Sequence, residues 1–164
     1  MTGPNQVSCR CGAVELELEG APFGVVECFC DSCRKAGALI EALPAAPPAL
    51  GAWGASRFVL YRKDRIAFRQ GAEYLREHRL TASTPTRRLV AACCNSAMLL
   101  DFTKGHWVSL YATRWDEARR PAADMRIQTG DLPDPSVLPD DVPNYRGLGL
   151  RFPLRLLRSF AAAP

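Results

Sequence analysis

Five of the seven cysteines in this chain fall into two tight groups, Cys9-Arg10-Cys11-Gly12 and Cys28-Phe29-Cys30-Asp31-Ser32-Cys33, and a third pair, Cys93-Cys94, follows later. Sulfurs two or three positions apart on a turning backbone converge on a single cation. Zinc takes thiolates at about 2.3 Å in tetrahedral sites, so the spacing points to metal ligation by Cys9, Cys11, Cys28, Cys30, Cys33, Cys93 and Cys94.

A disulfide framework fits less well. The cysteine count is odd, and a Cys-X-Cys pair rarely reaches the dihedral of a bond to itself. Residues Met1 to Ser8 carry no basic start and no apolar run of signal-peptide length, so a reducing cytoplasm is the expected setting. A redox dithiol reading would ask for Cys-X-X-Cys at a helix start after a β-α unit, which the pattern does not predict.

The elements that must position these sulfurs read as short strands. Val14, Leu16 and Leu18 alternate with Glu15, Glu17 and Glu19, so the first cysteine pair opens a strand with one apolar face. Gly24 to Glu27 reads as a strand running into Cys28, and Ala38 to Leu43 as another, which sets the second group at a turn between strands. Pro44 to Gly54 has three prolines and two glycines and reads as a loop with Trp53 as its anchor. Arg57 to Tyr61, Arg65 to Arg69, Leu89 to Cys93, Met98 to Phe102, Trp107 to Ala112 and Met125 to Thr129 complete the strands. Cys93 and Cys94 fall on a hairpin knuckle turning at Asn95-Ser96. Helix is expected only at Asp116 to Arg119 and Leu154 to Ala163. The class expected is all-β or β-rich, short strands and hairpins clipped by zinc, with a short C-terminal helix or irregular tail.

With 164 residues, the chain has single-domain size, and no stretch approaches the roughly 18 apolar residues of a membrane span. Between Arg57 and Arg88 nine basic residues face three acidic ones, which suggests a cationic face. Asp131 to Asp141 holds four aspartates among prolines and reads as a solvated loop. His78 and His106 lack ligand spacing to any cysteine group.

The cysteine groups resemble those of the glutathione-dependent formaldehyde-activating enzymes, a family that also contains the zinc domain of centromere protein V. The matching segments are Cys9 to Val14, Cys28 to Lys35 with Gly37, Phe68 to Glu73, and Arg88 to Ser96, in the family's order. The resemblance covers residues 7 to 112, so a zinc-binding domain is expected over 1–112 and an extension packed on it over 113–164. It implies a zinc-bound β-tent with two zinc ions, Cys9 and Cys11 joining the late cysteines at a structural site. It also implies a catalytic site of Cys28, Cys30 and Cys33 with one coordination position left open.

The implied reaction adds glutathione to formaldehyde, a carbon-sulfur lyase activity in the reverse sense. Arg69 and Arg88 would bind the carboxylates of the thiol, because planar guanidinium forks suit them. The family's late motif carries its first cysteine where this chain has Ala91. Cys93 either replaces that ligand, which needs a bulge or turn, or closes the second site as a fourth thiolate and blocks catalysis. Two functions stay open. One is an enzyme acting on a small thiol and a small aldehyde. The other is a non-catalytic zinc module whose basic face meets a protein or, less in keeping with the strand pattern, a nucleic acid.

Overall fold

The computed structural model describes residues 5–162. The chain begins with β1 (Gln6–Ser8), β2 (Glu15–Leu18), β3 (Gly24–Cys28) and helix α1 (Asp31–Glu41). Next come β4 (Ser56–Arg62), β5 (Ile66–Gln70), β6 (Leu75–His78), β7 (Thr86–Ala91), β8 (Ser96–Phe102), β9 (Trp107–Tyr111) and β10 (Met125–Ile127), and the last element is α2 (Arg151–Ala161). The architecture is therefore sheet-rich with a short C-terminal helix.

Two sheets form. One is small, in the order β1-β2-β5, and the other has seven strands in the order β10-β3-β4-β9-β8-β7-β6. Every pairing is antiparallel except that of β10 with β3. Strand period two decides the packing. Val25, Val59, Val108 and Leu110 meet Val7, Leu16 and Leu18 of the small sheet in one core. Val26, Phe58, Leu60 and Tyr111 point the other way, into a second core with Cys33 and Ile40 of α1 and Met125 of β10. Covered on both faces, β3 is buried along its whole length.

Several expectations change. Residues 38–43 do not form a strand. Cys33, Ala36, Gly37 and Ile40 are the buried positions of α1, and their spacing of three, one and three is helical. Gly37 is needed there because a Cβ would lie 2.3 Å from Leu50, which packs across the helix. The second cysteine group thus joins a strand to a helix. β4 and β5 follow one another but belong to different sheets, and β1 and β6 were not anticipated. Residues 117–119 make only a single 3-10 turn, Trp53 is exposed, and Ala163 lies outside the described residues.

The run of basic residues is not a free cationic face. Arg57 pairs with Glu27, Arg62 with Asp64, Lys63 with Asp101, Arg65 with Glu19, and Arg69 with Glu17, while Arg79 and Arg87 share Glu77. Phe58 and Tyr61, two of the interleaved aromatics, are buried in the cores.

Candidate metal centres

The first centre gathers two distant segments. Cys9 and Cys11 stand in the loop between β1 and β2, where Gly12 takes a left-handed φ of 79° and donates to the Cys9 carbonyl at 3.0 Å. The Val14 amide points at Cys9 Sγ at 3.3 Å. Cys93 and Cys94 lie in the β7–β8 turn, closed by Asn95 at a φ of 53°, which asparagine tolerates better than most residues. That turn brings both adjacent cysteines to one side. Cys9 Sγ is 3.5 Å from Cys11 Sγ and 3.7 Å from Cys93 Sγ, and all four sulfurs lie within 4.8 Å of one another. Cys93 therefore joins Cys9, Cys11 and Cys94 and does not close the second group.

The loop is braced from β5. Gln70 donates to the Gly12 carbonyl at 3.0 Å, and Gly71, at a φ of 75°, lies so close to Ala13 that a Cβ would fall 2.0 Å from its carbonyl oxygen. The Gln70-Gly71 step in the sequence thus serves the first cysteine loop. Ser96 Oγ accepts from the Arg10 amide at 3.0 Å and lies 3.0 Å from Cys94 Sγ, tying the two halves together.

The second centre is local. Cys28 ends β3, Cys30 caps the N-terminus of α1 by accepting from the Cys33 amide at 3.4 Å, and Cys33 lies in the first turn. The N-terminal end of a helix favours thiolates. Cys28 and Cys30 sulfurs are 3.4 Å apart, and the three sulfurs lie within 4.8 Å of one another, with no fourth ligand-type side chain joining them among the described residues. Cys30 and Cys33 do open a helix, the signature of redox dithiols. The third thiol beside them makes a three-sulfur donor set instead.

Both groups fit a metal ion. Sulfurs around a tetrahedral zinc stand about 3.8 Å apart when each bond is about 2.3 Å. The charges of the bare thiols tell the same story. Hydrogen bonds from Cys28 and Cys33 hold Cys30 down at about 2. Cys28 is pushed well above the usual thiol range by Cys30, Cys33 and burial. Against the lowering hydrogen bond from Cys28, Cys30 and burial drive Cys33 up to about 11. In the first group, burial raises Cys94, but hydrogen bonds from Ser96, the Cys11 backbone and the neighbouring thiols bring it down to about 6. Crowded thiols oppose one another's ionisation, and a divalent cation would let them ionise together.

Arg88, expected to bind substrate carboxylates, stands on β7. It is 2% exposed, and its Nη2 donates to the Ser32 carbonyl at 3.4 Å and points at Cys33 Sγ at 3.7 Å. Its Nε has no partner, and none of the carboxylate pairs among the described residues includes it. The Tyr111 hydroxyl is also fully buried and unpartnered, and burial holds it above the usual phenol range, the Arg88 charge opposing. A buried guanidinium without a carboxylate needs another anion nearby, and the three sulfurs supply it. Alternation along β7 was the available signal: Arg87 faces outward to Asp101 and Glu77, so Arg88 faces in. Arg69 lies on β5, paired with Glu17 at 3.1 Å, and does not line the cavity beside the second centre.

That cavity is about 220 Å³ and opens on Cys28, Cys30 and Cys33. Arg88 lines it with apolar walls from Phe58, Leu60, Trp107 and Phe152. A larger hollow of about 470 Å³ touches Cys9 and is lined by Arg10, Arg114 and Arg120 with Trp115. The smaller one adjoins three sulfurs and has the more apolar wall, and the larger one adjoins the four-sulfur group.

A solved structure supports the fold. A crystal structure of a Rhodobacter sphaeroides protein is similar at 18% identity and a TM-score of 0.50, covering 85% of this chain and 98% of that one. Comparison with curated proteins finds no match. The family model of the glutathione-dependent formaldehyde-activating enzymes matches residues 4–131, and across that span, which includes all seven cysteines, the chain belongs to this family.

Proposed function

We propose that the protein is a two-zinc carbon-sulfur lyase of the formaldehyde-activating type, adding glutathione or a similar thiol to formaldehyde or another small carbonyl in the cytoplasm. The observation that carries this reading is the cavity on the three-sulfur group, where a fourth residue would otherwise complete the shell. Cys28, Cys30 and Cys33 are the catalytic metal ligands, and Cys9, Cys11, Cys93 and Cys94 hold a structural zinc. The zinc at the three-sulfur group supplies Lewis acidity and favours the ionised form of a thiol in the open position.

The chain's own groups do the rest. Arg88 offsets the charge of the three thiolates and keeps their sulfurs turned toward the cavity. The walls from Phe58, Leu60 and Trp107 exclude water from the reacting atoms. In the reaction the thiol sulfur bonds to the carbonyl carbon, and the thiol proton ends on the carbonyl oxygen, giving a hemithioacetal. A cavity of about 220 Å³ is below the common ligand range of about 300–1,000 Å³, so it suits a small aldehyde and the thiol end of its partner. The basic-face alternative loses support because those arginines are paired within the fold.

Exchange NMR of glutathione with formaldehyde tests the reading. The zinc-loaded protein should accelerate exchange over the spontaneous rate, and Cys30→Ser should abolish the acceleration while the fold persists. A folded, zinc-loaded wild type that gives only the spontaneous rate sinks the enzyme.

A further inference from the structure

Helix α2 presents an apolar ridge left exposed among the described residues, with one edge of Phe160 resting on His106. Leu150, Leu154, Leu157 and Phe160 are between 51 and 79% exposed, and Leu148 before the helix is exposed as well. Leu150, Leu154, Leu157 and Ala161 follow one another at spacings of four, three and four, so they form one stripe along the helix. The stripe points outward because the other side is fixed. Ser159 is buried, its Oγ 2.8 Å from His106 Nε2; Arg62 donates to the Ser159 carbonyl at 3.3 Å; Arg155 pairs with Asp124 at 2.6 Å. Half of the large exposed apolar side chains among the described residues belong to this segment. A ridge of this kind marks an interaction surface.

The charge beside it selects the occupant. Residues 142–164 contain four arginines and no acidic residue. Arg151 and Arg158 are exposed along one flank of the stripe. Two copies packed ridge to ridge would bring these arginines near one another or against Pro153 and Phe160, with no carboxylate on either helix to answer them. An anionic lipid surface satisfies both features, taking leucine and phenylalanine into the acyl boundary and phosphates onto the arginines. We propose that α2 docks the protein on anionic lipid membranes, lying in the plane of the interface. Phe152, on the inward side of the same helix, lines the cavity at the three-cysteine group, so the docked face lies one helix away from that cavity.

Co-sedimentation of the full chain with phosphatidylcholine vesicles, with and without phosphatidylglycerol, tests this. The bound fraction should be at least about tenfold higher with the anionic lipid. Leu154→Ser with Leu157→Ser should remove binding to both vesicles, and Arg151→Gln with Arg158→Gln should remove the preference between them. Both double variants should keep the wild-type circular dichroism and zinc content, because the altered side chains are exposed. Failure of the wild type to sediment with either vesicle overturns the proposal, as does equal binding by the leucine variant. A dimer in light scattering that Leu154→Ser with Leu157→Ser dissociates would assign the ridge to a second copy instead and overturn it too.

Discussion

The two cysteine groups use the same side chain for different ends. Cys9 and Cys93 are 84 residues apart, and their group ties the β1–β2 loop of the small sheet to the β7–β8 turn of the large one. Cys28, Cys30 and Cys33 lie within six consecutive residues and join nothing that the chain does not already join. Closing a long loop removes more unfolded-state entropy than closing a short one, by about 0.6 kcal/mol per doubling of length. The first group is therefore placed to stabilise, while the second adds little by cross-linking and has a cavity instead. Their surroundings differ in the same sense. Arg114, pushed below the usual guanidinium range by burial against the pull of Cys94 and Cys9, stands by the four-sulfur group, whereas the buried Arg88 touches the three-sulfur group.

The largest effect should come from breaking the first group. A structural zinc supplies on the order of 10 kcal/mol, comparable to the whole stability of a domain, so Cys94→Ser should be unfolded by circular dichroism at 37 °C. Cys30→Ser should instead melt within a few degrees of wild type while losing one equivalent of zinc. Equal destabilisation by the two variants would erase the distinction drawn here.

Next in size is the support behind the second group. Glu27, the residue before Cys28, accepts from Arg57 at 2.7 Å and from Arg126 on β10 at 2.8 Å, and Arg126 also holds Asp141. Arg126→Met leaves the buried Glu27 carboxylate to Arg57 alone and should cost about 3 kcal/mol in denaturant unfolding. On chelator titration it should release zinc from the three-cysteine group earlier than wild type, leaving the four-cysteine group unaffected.

A smaller effect, of about 2 kcal/mol, is expected from Asp101→Asn, read against pH. Burial pushes the Asp101 carboxyl up, but Lys63 and Arg87 more than offset it and hold it below the usual aspartate range. A lowered folded value means stability that is present above the ordinary aspartate pKa of about 4 and lost as pH falls through the folded one. The gap between wild type and variant should thus be full at neutral pH and shrink in acid. Because β8 carries one side of the hairpin behind Cys93 and Cys94, a gap that stays constant down to acid pH would show that the ion pairs do not brace the first group.

The smallest effect separates the two arginine environments. Arg88→Met should weaken zinc at the three-cysteine group about tenfold in competition with a chelator, with Arg88→Lys recovering part of it. Arg69→Met, at an exposed pair, should leave zinc affinity unchanged.

Much of this was legible in the cysteine spacing, because ligand geometry is a local property of Cys-X-Cys and Cys-X-X-Cys. The strands were legible where one face is polar, as in β2. Residues 31–41 were misread because Ala38 to Leu43 is a continuous apolar run, in which a helix and a buried strand look alike. The allegiance of Cys93 was not legible, since it depends on a turn that swings two adjacent residues to the same side. Arg88 was counted with its neighbours because a run of charges does not say which members point inward, and the paired state of Arg57, Arg65 and Arg69 depends on Glu27, Glu19 and Glu17, which come from earlier in the chain.

Phe152 gives the molecule a division of labour. The family match ends at residue 131, yet this ring from beyond it forms part of the wall above Cys28, Cys30 and Cys33. The opening above the sulfurs is lined jointly by the family-matched span and by the helix beyond it, so a change confined to that helix would alter the wall while leaving all seven cysteines in place.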